Sequence, residues 1–137
     1  MAGKTLMELL RKDFSFLKSE GVLAVLLFGS SATGDKSARD ADICIVAPKM
    51  NPSKILSVVF SHVDVVGKKY DVYCFEELPL YMKWEVIHNN KVIWAKSELD
   101  LGEYFYYYRK LYADQKHRMD MSRAEVLELF HKLPQPA

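Results

Sequence analysis

Val22-Leu23-Ala24-Val25-Leu26-Leu27-Phe28-Gly29-Ser30, followed by Asp40-Ala41-Asp42-Ile43-Cys44-Ile45-Val46-Ala47, is the stretch that decides the fold. An apolar run enters a tight Gly-Ser turn, a polar loop follows, and a second apolar run opens on two acids. Runs of this length, rich in branched aliphatics and bounded by turn residues, predict two buried strands. Side chains i and i+2 of an extended chain share a face, so Asp40 and Asp42 project together across ~7 Å of backbone. Carboxylates held side by side repel unless a cation lies between them. Hard oxygen donors of this kind suit magnesium, which completes its shell with water and phosphate. Gly29 lets the backbone approach a ligand, and the Ser30 hydroxyl with its neighbouring amides can donate to phosphate oxygens. The two halves together read as a nucleoside triphosphate site, with Gly29 and Ser30 as the nucleotide-binding residues.

A third acid lies where such a site needs one. Lys68-Lys69-Tyr70-Asp71-Val72-Tyr73-Cys74-Phe75 is dense in aromatic and β-branched residues and predicts a third strand with Asp71 near its start. Paired beside the Asp40/Asp42 strand, it brings three carboxylates together. Such a set can hold two metal ions ~3.5–4 Å apart and clamp both the attacking and the leaving oxygen of a displacement at phosphorus. Catalysis of that kind is mostly positioning and charge neutralisation.

Leu27-Phe28-Gly29-Ser30, Asp40-Ala41-Asp42-Ile43 and Asp71-Val72-Tyr73 together resemble the nucleotidyltransferase domain of the DNA polymerase beta superfamily, and most of all its minimal archaeal and bacterial members. Phe75-Glu76-Glu77-Leu78-Pro79-Leu80-Tyr81 and the aromatic segment from Tyr104 to Tyr112 also resemble archaeal members, so the likeness spans roughly residues 20–118. The resemblance implies magnesium-dependent transfer of a nucleoside monophosphate, AMP from ATP, to a hydroxyl with release of pyrophosphate. On that pattern Gly29 and Ser30 cradle the β and γ phosphates, and Asp40, Asp42 and Asp71 are the catalytic residues and the ligands of two Mg2+ ions. The acceptor it implies is a tyrosine of a HEPN-type toxin, with this chain as the antitoxin; that step is family analogy. A small-molecule acceptor, as in antibiotic-modifying relatives, is the competing enzyme reading, and a catalytically inactive nucleotide-binding or partner-binding module is the non-enzyme one. Two departures motivate the latter. Ser31-Ala32-Thr33-Gly34-Asp35 stands where many members carry arginines. The pattern can also be aligned with Asp42 as the first acid and Cys44 in place of the second, and a thiol is a poor magnesium ligand. The Asp40/Asp42 register keeps both acids, and Asp42 is a ligand in either.

Composition narrows the remaining classes. The 137 residues carry 19 basic and 18 acidic side chains, a formal net charge of +1. A chain so balanced lacks the basic excess of a nucleic-acid binder, so nucleic acid is not the expected partner. No apolar run approaches a membrane span, and the opening Met1-Ala2-Gly3-Lys4 leads straight into an amphipathic helix, which predicts a cytoplasmic protein without membrane contact. Cys44 and Cys74 fall inside strands and are expected as buried free thiols, with a disulfide between neighbouring strands the alternative.

The expected architecture is α/β (α+β), a small mixed sheet with helices packed against it: a nucleotidyltransferase fold plus C-terminal helices. One domain is expected over residues 1–137, with a core of about 20–95 and a helical extension of about 98–133. Thr5-Leu6-Met7-Glu8 reads as a capping box opening a helix that runs to Gly21. Pro52 opens a second helix to about His62, Pro79 a third that ends at Asn89-Asn90, and Val92-Ile93-Trp94 makes a short strand. A long helix is expected from about Leu99 to Met119, and a separate last helix from Ser122 to Lys132, ahead of a frayed Pro134-Gln135-Pro136-Ala137 tail. The tyrosines between Tyr104 and Tyr112 cover more than one helix face. That predicts core packing combined with homodimer or partner contact, or stacking on a nucleotide base.

Overall fold

A computed structural model of the chain describes residues 5–29 and 40–132. Helix α1 (Leu6–Asp13) is followed by a 3-10 turn (Ser15–Glu20), strands β1 (Ala24–Phe28) and β2 (Ala41–Val46), helix α2 (Pro52–His62) and strand β3 (Tyr70–Cys74). A second 3-10 turn (Phe75–Glu77), helix α3 (Leu80–His88), strand β4 (Asn90–Ala95) and helix α4 (Glu98–Lys132) complete it. The four strands form one mixed sheet in the order β3-β2-β1-β4. β1 runs antiparallel to both β2 and β4, and β2 runs parallel to β3.

The sheet separates two apolar layers, as its alternating side chains require. On one face Val25, Leu27, Ile43 and Ile45 meet α1, the first 3-10 turn and α2 through Leu10, Phe14, Leu17, Ile55 and Val59. On the other, Leu26, Phe28, Cys44 and Val46 meet Phe75, Val86, Ile87, Leu101 and Phe105 from the second turn, α3 and α4. Every residue of β1 is buried, which explains its unbroken apolar run: it is central and covered on both sides. Cys44 and Cys74 are buried free thiols in the two different layers, so neighbouring strands do not make them disulfide partners.

Two expected helices differ from the observed ones. Thr5 caps α1 by accepting from the Glu8 amide (3.3 Å), but α-helical geometry stops at Asp13 instead of running to Gly21. The Phe14 carbonyl explains the change, because it accepts a buried hydrogen bond from Trp94 Nε1 (3.1 Å) and the chain tightens into 3-10 form beyond it. Gly21 does end the segment, at φ +82°. At the other end, the expected break before Ser122 is absent and α4 is one helix of 35 residues. A capping-box sequence offers a helix start worth about 1 kcal/mol, whereas breaking a run of good helix formers forfeits several backbone hydrogen bonds. β4 also begins earlier than Val92, because Asn90 caps α3 from within the strand by donating to the Val86 (2.8 Å) and Ile87 (3.1 Å) carbonyls. The expected C-terminal tail lies outside the described residues.

Candidate nucleotide-binding site

The pairing of β2 with β3 places Asp42 opposite Asp71, and that of β2 with β1 places Phe28 opposite Asp42. Parity then puts Phe28, Asp42, Asp71 and Tyr73 on the same sheet face as α3 and α4. The helices cover only the deeper part of that face. Cys44 is fully buried beneath Phe75 and its neighbours, Asp42 is half-buried, and Asp71 and Asp40 are exposed. Burial therefore falls off along β2 toward its entrance, where the carboxylates stand.

Gly29 follows β1 at φ +75°, and a Cβ there would run into the Asp42 carboxylate. The close approach expected of this glycine is thus an approach to Asp42. Left-handed backbone and absence of a side chain are both required, which fixes glycine on two independent grounds. Ser30 lies outside the described residues, as does the loop of residues 31–39.

Electrostatics tie the three acids together. Asp42 has its pKa raised above the ordinary carboxylate value, by partial burial first, then by the negative charges of Asp71 and Asp40. Among the described residues no group of three or more His, Cys, Asp or Glu side chains is gathered closely enough to ligate an ion at once. Asp42 and Asp71 share a face, and Asp42 feels the charge of both Asp71 and Asp40, but the three do not form a ready-made cage; like charges facing across a ladder are held apart by repulsion. The donor chemistry, carboxylate oxygens from neighbouring strands, fits a hard divalent cation. Cys44 does not: burial above all, then the charge of Glu76, raises its thiol well above its usual range, and it is packed in the apolar layer.

Tyr73, to which the sequence analysis assigned no role, stands beside these acids. It stands two positions beyond Asp71, is 37% exposed, and sets its ring edge-on to Phe28 with centroids 5.6 Å apart. Burial, then Asp42, then Asp71 raise its pKa. The signal was present, since the parity that pairs Asp40 with Asp42 pairs Asp71 with Tyr73. Tyr104 and Tyr108, by contrast, pack around Phe75 (5.7 and 5.3 Å), and Tyr112 against Trp84 (5.1 Å), so these rings serve the interior of the helical layer.

A mixed sheet with two facing acids beside a left-handed glycine is the arrangement expected of a nucleotidyltransferase, and comparison with known proteins shows the family. Residues 14–99 match the family described as polymerase beta, nucleotidyltransferase, and the chain belongs to that family. A Methanocaldococcus jannaschii protein assigned as a protein adenylyltransferase is 41% identical over 102 residues, covering 72% of this chain and 75% of that one. Among solved structures, a chain of a toxin-antitoxin complex with AMP-PNP superposes with a TM-score of 0.66 at 14% identity, covering 85% of this chain and 98% of that one. A chain from the complex of tri-AMPylated Shewanella oneidensis HEPN toxin with MNT antitoxin superposes at 0.62 and 14% identity, covering 89% and 99%. At these identities the structures establish the shared fold. Among the described residues no helix is long and apolar enough to cross a membrane.

Proposed function

We propose that this nucleotidyltransferase moves AMP from ATP to a tyrosine hydroxyl of a HEPN-type partner protein in the cytoplasm, and so acts as the antitoxin of a toxin-antitoxin pair. The observation that carries the chemistry is Asp42 facing Asp71 beside Gly29. The relative assigned as a protein adenylyltransferase, and neighbours crystallised with AMP-PNP or with an AMPylated HEPN toxin, support AMP as the group and protein as the acceptor.

Gly29 and Ser30 contact the β and γ phosphates. Asp40 and Asp42 would hold Mg2+, and Asp71 would complete a second Mg2+ site. Bound there, the ions neutralise the triphosphate and the mutual repulsion of the acids. The acceptor oxygen attacks the α phosphorus, the bond to the bridging oxygen of pyrophosphate breaks, and the acceptor proton passes to Asp71, which lies exposed at the sheet edge where an incoming chain can reach it. Tyr106 and Tyr107 are 56% and 60% exposed, leaving a surface on α4 for the partner or for a second copy of this chain.

The test incubates the purified chain with ATP, Mg2+ and a HEPN-type protein from the same source, and follows pyrophosphate release and acceptor mass. Gain of adenylyl groups on an acceptor tyrosine, abolished by Asp42→Asn and by Asp71→Asn, is expected. ATP binding without transfer by a folded wild type would leave a nucleotide-binding module in place of an enzyme.

A further inference from the structure

The carboxylates and Gly29 account for the phosphates, which leaves the nucleoside half of the substrate without a seat. The sheet face offers one. Between the acids at the entrance of β2 and the closed layer under α3 and α4 lies the Phe28–Tyr73 pair, its rings at 66° and their centroids 5.6 Å apart. Phe28 is nearly buried at 8% exposure, whereas Tyr73 is open at 37%. Asp71 and Tyr73 alternate onto one face of β3, and Tyr73 pairs across to Cys44, one step deeper than the Asp42–Asp71 pair. To meet Phe28 on β1, the tyrosine ring must reach over β2, so it floors the face immediately behind Asp42. Phe28 is the one aromatic ring in contact with this side chain among the described residues, and its hydroxyl donates to no protein group among them. An exposed ring, propped at a fixed angle and carrying an unused hydroxyl, is suited to a flat ligand with polar edges.

We infer that Tyr73 is a substrate-contacting residue that seats the nucleoside of the bound triphosphate, with its ring beneath the base or sugar and its hydroxyl free to hydrogen-bond it. This rests on the triphosphate reading of the Gly29/Asp42 end, because a triphosphate held there projects its nucleoside onto the adjoining face. The role is distinct from that of the acids. Tyr73 contributes to recognition of the nucleoside and not to binding of the phosphates, so its loss separates the two halves of the ligand. A residue that merely shaped the carboxylate end would weaken both halves together.

The experiment measures, by calorimetry in excess Mg2+, the binding of AMP-PNP and of inorganic tripolyphosphate to the full chain and to Tyr73→Ala and Tyr73→Phe. The position is open, so both variants are expected to fold, and their circular dichroism and thermal midpoints are checked first. Tyr73→Ala should weaken AMP-PNP by about tenfold, the usual size of a lost base-aromatic contact, while tripolyphosphate binding stays within about twofold. Tyr73→Phe, which keeps the ring, should fall between wild type and Tyr73→Ala. Equal weakening of both ligands, or no change in AMP-PNP, overturns the assignment and leaves the triphosphate site standing. Failure of the wild type to bind either ligand overturns the triphosphate reading and this inference with it.

Discussion

Asp42 is where stability and function pull apart. It is set half-buried between two other acids, and its raised pKa means that the folded chain holds the Asp42 proton more tightly than the unfolded chain does. The sign follows by linkage: from the unfolded value of 3.8 upward through the raised folded value, the folded state binds more protons, so stability falls as pH rises across that window. Above it the whole penalty is present. In the metal-free protein at neutral pH, Asp42→Asn should therefore raise stability, by on the order of 0.5 kcal/mol because a half-exposed carboxylate is well screened, while ending transfer. Denaturant midpoints in EDTA at pH 5 and pH 8 check this, and a gap between variant and wild type that shrinks toward pH 8 would sink it. Gly29→Ala should act in the opposite direction, costing about 1–3 kcal/mol from the left-handed backbone and the contact with Asp42, and lowering pyrophosphate release with it. Stability equal to wild type in urea unfolding would show that the turn can relax. The acids and the glycine were legible because strand parity and turn chemistry are local rules. Tyr73 was legible by the same rule, but its meaning depends on Phe28 lying across an intervening strand, a contact that no local pattern encodes.

The elements that frame the site are held by polar ties as well as by apolar layers. Glu76, in the turn after β3, accepts from the Ala47 amide at the end of β2 (3.1 Å) and from the Tyr104 hydroxyl on α4 (2.9 Å). Burial, followed by hydrogen bonds to Tyr108 and Glu76, raises the pKa of Tyr104, which therefore stays a donor at any physiological pH. Lys83 of α3 closes the same corner by donating to the Leu78 (2.6 Å) and Glu76 (3.3 Å) carbonyls. Removing one partner of such a group leaves the other unsatisfied, so Tyr104→Phe should cost about 1–2 kcal/mol, and Glu76→Gln less than Glu76→Ala. Thermal unfolding of the three variants checks the order, and a silent Tyr104→Phe would mean that water replaces the tie. At this scale the sheet and its helices were readable because apolar runs, prolines and asparagines mark element ends. The short α1 and the unbroken α4 were not. The first is set by a carbonyl captured by Trp94, far away in sequence, and the second by helix propensity outweighing a cap signal.

For the whole molecule, α4 sets what can be removed and what can be recognised. Its 35 residues extend ~52 Å at 1.5 Å per residue, yet among the described residues its buried side chains, Leu101 and Phe105, lie in its first turns. Beyond Arg118 the described side chains Glu125, Leu127, Glu128, Leu129 and His131 are all exposed, with Leu127 at 59% and Leu129 at 64%. Exposed apolar groups recurring along a helix add nothing to a core, and surface changes of this kind alter stability by about 0.5 kcal/mol or less. A chain ended after Arg118 should accordingly keep its thermal midpoint within about 2 °C. Recognition should behave differently. Tyr106 and Tyr107 are largely exposed, although Tyr107 sets its ring edge-on to Tyr108 of the Phe75 cluster (5.1 Å), and exposed aromatic side chains supply much of the energy of an interface. Replacing both with alanine should leave the midpoint and the binding of Mg2+ with AMP-PNP unchanged, but weaken association with the HEPN-type partner by about tenfold or more. Sedimentation of the variant with and without the partner separates the two surfaces that α4 could serve. Loss of the mixed complex alone assigns these tyrosines to the partner, and loss of self-association alone assigns them to a homodimer. Unchanged sedimentation in both experiments would remove α4 from recognition and return the partner surface to the sheet edge beside Asp71.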